Sequence, residues 1–118
     1  MGYSIKKVIE VIEGKTEYPV FSTDIKKDEV ENNPSFFVYT EKAGIDKGQN
    51  SNQYLKRFVL MFVSKDASDI DEIELSKALE VCGLIFDRSD VDYGRIADTE
   101  QEVLANTLYF HRILRVCS

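Results

Sequence analysis

The chain has 118 residues, of which 43% are apolar and 31% charged, with 15 basic against 21 acidic side chains and a net charge of −6. This is one domain of ordinary globular composition, covering residues 1–118. Its acidic balance argues against a protein built to grip nucleic acid or an anionic membrane surface, since both need clustered lysine and arginine.

Residues 4–13 are predicted as an amphipathic helix. Ser4 is a suitable N-cap, and Ile5, Val8, Ile9 and Ile12 recur at i, i+3, i+4 and i+7. Gly14 is the expected stop. Residues 18–22 read as a short strand, which Pro19 confines to a sheet edge or a strand start. Residues 24–33 are charged and read as a loop, with Asn33-Pro34 as a turn signal. Residues 35–40, Ser-Phe-Phe-Val-Tyr-Thr, have strand chemistry. Residues 43–52 are rich in glycine and asparagine and predict a flexible connection. Strand chemistry resumes over 53–64, so the two strands form an antiparallel hairpin with a long loop.

A second helix is predicted over 70–82. Ser68 and Asp71 have capping-box spacing, and Asp69, Asp71, Glu72 and Glu74 suit a positive helix N-terminus. Ile70, Ile73, Ala78, Leu79 and Cys82 are its expected buried stripe. Gly83 ends this helix, unless residues 84–86 extend it or begin a strand. Residues 87–102 are polar, with a short strand over 92–97. Residues 103–116 read as a closing strand of period two. Leu104, Leu108, Phe110, Leu114 and Val116 take one side; Thr107, His111 and Arg115 take the other. The order predicts an α+β domain: a mostly antiparallel sheet of about four or five strands with two helices packed on one face.

The longest apolar run, residues 58–63, has the length of a strand and falls far short of the roughly 18 residues that span a bilayer. The N-terminus alternates apolar and charged residues, unlike a signal peptide, so a cytosolic protein is expected. Cys82 and Cys117 are expected as free thiols. Two cysteines and one histidine do not make a zinc set. His111 has no partner that sequence alone identifies and reads as a structural or surface residue. Counting from Asp90, the calcium-loop positions that need glycine and glutamate hold Arg95 and Gln101. Phosphate-loop, nucleophile-elbow and zinc-protease motifs are missing. No catalytic, cofactor-binding or metal-binding residue is expected, and the chain does not read as an enzyme.

One pattern is more informative. Around its centre the 53–64 strand is apolar on both faces, with Phe58, Leu60 and Phe62 against Val59, Met61 and Val63. Phe36 and Val38 against Phe37 and Tyr39 repeat it. A sheet covered on one side only should alternate. The second face is therefore covered either by another part of this chain or by another subunit.

The layout resembles the tail terminator (tail completion) proteins of long-tailed bacteriophages and prophages. The residues that carry the resemblance are the short helix ending at Gly14, Tyr18-Pro19-Val20-Phe21, and Asn33-Pro34-Ser35-Phe36-Phe37-Val38-Tyr39 leading into the sheet. After these come the long polar hairpin loop, the acid-capped helix, and the closing Thr107-Leu108-Tyr109-Phe110-His111-Arg112. The resemblance implies a structural virion-assembly protein: a homo-oligomeric ring, commonly a hexamer, that caps the head-proximal end of the tail tube. Such a ring stops tube polymerisation and offers the surface for head–tail joining. The implied partners are other copies of the chain, the tail tube protein and a head completion protein, with DNA passing through without specific binding and no membrane. The implied location is the host cytoplasm during assembly and then the virion tail. Candidate interface residues are Phe37, Tyr39, Val59, Met61 and Val63 on the strands, with Asp46, Lys47, Gln49 and Asn50 in the long loop. Two other readings stand beside this one: another head–tail connector or neck protein, and a small cytosolic binding domain with no phage role.

Overall fold

The computed structural model describes residues 3–23, 32–66, 68–95 and 102–116. Helix α1 (Ile5–Thr16) leads into β1 (Val20–Ser22), β2 (Ser35–Thr40), β3 (Ile45–Lys47) and β4 (Gln53–Ser64). Helix α2 (Glu72–Glu80), β5 (Ile85–Arg95) and β6 (Glu102–Arg115) follow. The expected 24–33 loop and the Cys117 thiol lie outside the described residues, apart from the loop's last two positions.

The fold is α+β, as expected, with a sheet of six strands in the order β1-β2-β4-β6-β5 and β3 paired to the early part of β4. All pairings are antiparallel except that of β1 with β2, and the proline-led β1 is at the edge of the sheet. The β2–β4 ladder runs from Ser35↔Ser64 to Thr40↔Val59. Residues opposite each other share a face. Phe37 with Phe62 and Tyr39 with Leu60 therefore lie on one side, and Val38 with Met61 and Phe36 with Val63 on the other.

Both helices cover the first side. Val8 and Ile12 of α1, and Leu75 and Leu79 of α2, close over Phe37, Phe58, Leu60, Phe62, Leu108 and Phe110 to form the core. Tyr18, Phe37 and Phe62 make a tilted aromatic cluster, with Phe37 and Phe62 ring centroids 4.9 Å apart. Burial of such side chains supplies most of the folding free energy, at about 25 cal/mol per Å² of apolar surface.

The helix boundaries depart from expectation. Ser4 is the N-cap of α1, accepting from the Lys7 amide at 3.4 Å. Gly14 does not stop the helix. It continues to Thr16, and Glu17 turns it off in the left-handed region (φ 67°), donating its amide to the Glu13 carbonyl at 2.9 Å. In α2 the cap is Asp71, which accepts from the Glu74 amide at 3.0 Å. Ser68 is instead held by Asp66. The start moves to Glu72, and Leu75, Ser76 and Leu79 take the buried face, while Ile73 is 69% exposed. Gly83 adopts φ +90° and β5 begins at Ile85, the alternative in which residues 84–86 start a strand; it runs on to Arg95 in place of a separate short strand at 92–97.

Candidate interaction surface

The odd-numbered side chains of β4 and β6 and the even-numbered ones of β2 form the sheet's second face. Among the described residues no helix or strand lies over it, because both helices pack on the opposite side. Phe36 is the one large residue already buried here (2% exposed), with the Phe21 ring 6.0 Å away and the Lys65 ammonium above it. Val38, Val59, Met61, Val63 and Tyr109 stay partly exposed and make a continuous apolar centre across β2, β4 and β6.

Charged pairs edge this centre where β3, β4, β5 and β6 meet. They line a groove of about 580 Å³. Arg57 donates to both carboxylate oxygens of Asp46, at 2.8 Å from Nε and 2.6 Å from Nη2. These bonds hold the Asp46 carboxyl below its ordinary range and raise the Arg57 guanidinium. His111 lies opposite Arg57 in the ladder, and its Nδ1 sits 2.8 Å and 3.0 Å from the two Asp87 oxygens. Arg88 pairs with Asp90 and stacks its guanidinium 4.1 Å over the Tyr109 ring. The ladder bulges between Phe86 and Arg88, which turns Asp87 toward His111 while returning Arg88 to Tyr109.

Each cation here is thus matched to a carboxylate, leaving little net charge to attract an anion. The Asp87–His111 pair orients an imidazole. However, the described lining of the groove holds no serine, threonine, cysteine or lysine for it to activate. Among the described residues no cluster of three metal-ligating side chains occurs, and no helix is long and apolar enough to cross a membrane. An apolar centre with a paired, exposed polar rim is the ordinary anatomy of a protein–protein contact.

The candidate interface residues separate into three groups. Val59, Met61 and Val63 lie together on the open face. Phe37 and Tyr39 do not join them, because the β2–β4 register turns both to the helix side. There Phe37 is fully buried in the core and Tyr39 stacks on Phe58 at 6.1 Å. This corrects the placement of Phe37 as a partner-facing residue and moves Tyr39, which stays partly exposed, off the open face. The polar loop is not a free tip. Asp46 and Lys47 belong to β3, Asp46 is clamped by Arg57, and Lys47 caps the Ser51 carbonyl beside the Tyr54 ring. The Gln49 amide donates to the Gln53 side chain at 3.1 Å, and the Asn50 carbonyl accepts from the Gln53 amide at 3.1 Å.

Arg57, Asp87, Arg88 and Tyr109 escape sequence reading as parts of this surface. The usable signal is the period-two placement of Arg57, Val59, Met61 and Val63 on one side of β4. Their ion-pair partners are set only by the ladder. No protein-family model and no curated protein matches the chain.

Proposed function

We propose that this chain is a structural assembly protein that works as a ring of identical subunits, in the manner of a phage tail terminator that caps the tail tube and joins it to the head. The observation that carries the reading is the open sheet face. Central strands β2 and β4 are apolar on both sides, yet the two helices cover only one of them. A subunit whose neighbours supply the missing layer need not cover that face itself. Net negative charge suits a conduit through which DNA passes, because acidic walls repel phosphate.

The test is to remove the gene from the phage or prophage that carries it and to image the tails by electron microscopy. The expected result is tails of uncontrolled length that do not join heads, restored by supplying the chain in trans. Tails of normal length joined to heads would refute the tail role.

A further inference from the structure

We propose that the free edge of β5 is a docking site for an extended segment of another protein, which adds itself as a further strand and carries a basic residue between two apolar ones. The covering of the open face plays no part in this, so it goes beyond the ring reading and does not depend on it.

Strand β5 ends the sheet: β6 pairs with one of its edges, and among the described residues no strand pairs with the other. Past the bulge its ladder is regular from Arg88 to Arg95. From Ile85 to Gly94 every residue except Ser89 is exposed. In an antiparallel ladder the backbone groups of successive residues point alternately to one edge and the other, so half of these N–H and C=O groups face away from β6. Another extended backbone is what matches such a row. The opposite edge of the sheet is blunted, because β1 is three residues long and follows Pro19. Strand β5 is 11 residues long and holds neither proline nor lysine, the residues that commonly close an edge.

The side chains select the backbone that fits. Asp90 and Asp92 stand on the open-face side, opposite Thr107 and Ala105. Val91 and Tyr93 stand on the helix side, opposite Asn106 and Leu104. Asp87 faces His111 and Asp90 holds Arg88, whereas Asp92 makes no ion pair among the described residues. Val91 is 52% exposed and Tyr93 85%. A strand laid along this edge sets one side chain opposite Asp92 and, on the other side, its two neighbours beside Val91 and Tyr93. The chemistry that fits is a lysine or arginine opposite Asp92 with an apolar residue before and after it. A second copy of β5 fits badly. Antiparallel pairings centred on Asp90, Val91 or Asp92, the middle of the regular stretch, each set a carboxylate against a carboxylate of the other copy. Like charges directly opposite destabilise a ladder.

The probe is the end-blocked, fluorescently labelled peptide Thr-Val-Lys-Val-Thr-Val-Thr. The full chain is titrated into it up to about 1 mM, the weak end of specific binding, and anisotropy is read. The peptide should bind. At saturation it should slow amide hydrogen exchange over residues 88–94 and leave residues 20–22, at the opposite edge, unchanged. Two further peptides are N-methylated at alternate residues, in one phase or the other. Only the one whose methyl groups block the amides turned to β5 should lose binding. Asp92→Lys should weaken the lysine peptide about three- to tenfold and should bind the same peptide with glutamate for lysine better than wild type does. Thermal melts confirm that the variant folds, and Asp92→Asn, with a loss of about two- to fivefold, replaces it if it does not. No binding up to about 1 mM, the same affinity for both methylated peptides, indifference to the change at Asp92, or protection at another strand in place of β5 would each overturn the proposal. So would protection of residues 88–94 that grows with protein concentration without peptide, which would give the edge to a second copy.

Discussion

At the scale of single residues, two groups set conditions on the fold. Asp66 gathers hydroxyls from three places: Ser35 at the start of β2 (2.8 Å), Ser64 at the end of β4 (3.3 Å), and Ser68 on the way to α2. Ser35 and Ser64 are both 2% exposed, so their hydroxyls require an internal acceptor. The Ser68 and Ser35 hydroxyls stabilise the ionised carboxylate and lower its pKa to about 2. A carboxyl whose pKa falls on folding adds stability above its unfolded pKa of about 3.9 and loses it as pH drops through the folded value. Stability should thus decline between about pH 4 and pH 2, and Asp66→Asn should flatten that part of the curve in chemical denaturation at stepped pH. An unchanged slope would show that Asp66 is not the group responsible. The second residue is Glu17, which holds φ 67° to end α1. A non-glycine residue in this region is strained by about 1 kcal/mol, so Glu17→Gly should raise stability by up to that amount, read as a higher urea midpoint at constant m-value.

At the scale of elements, legibility follows from whether a segment's structure is encoded locally. The spans 35–40 and 53–64 are readable from aromatic and β-branched content alone, and the structure returns the same bounds. Strand β5 is not readable in this way. Asp87, Arg88, Asp90 and Asp92 break any apolar period, and the strand forms because β6 offers it a ladder, bulge included. The start of α2 is misread because Ser68 and Asp71 are both good caps, and Asp66 takes Ser68 out of contention. Phe37 and Tyr39 are misplaced for a related reason. Alternation shows that β2 has two apolar sides, but only its register against β4 says which side meets the helices. The ion pairs of the open face join positions far apart in sequence and give no local signal. The polar loop reads as flexible, yet it contains β3 and a tight return. A Cβ on Gly48 would fall 2.8 Å from the Gln53 carbonyl oxygen, whose bond to the Gly48 amide closes that return. Gly48→Ala should therefore cost about 1–3 kcal/mol and raise hydrogen exchange over 45–53, whereas exchange in β6 should be unchanged. Phe62→Ala, in the middle of the core, should cost about 3–5 kcal/mol in denaturant titrations and spread its effect over the whole sheet.

At the scale of the whole molecule, charge and apolar surface oppose each other. The chain carries −6, and copies approaching one another feel that charge over a distance that shrinks from about 14 Å at 0.05 M salt to about 4 Å at 0.5 M. The attraction between copies that cover the open face comes from Val59, Met61 and Val63, whose burial is not weakened by simple salt. The pairs at the edge, Asp46 with Arg57 and Asp87 with His111, are satisfied within one copy. Salt therefore costs such a contact little there. Self-association should consequently tighten as salt rises, by roughly three- to tenfold in apparent Kd between 0.05 and 0.5 M sodium chloride. Sedimentation equilibrium at fixed protein concentration and pH 7 reads this directly. Weaker association with added salt would mean that the copies are held by ion pairs between them, and that the apolar face is not the main source of attraction.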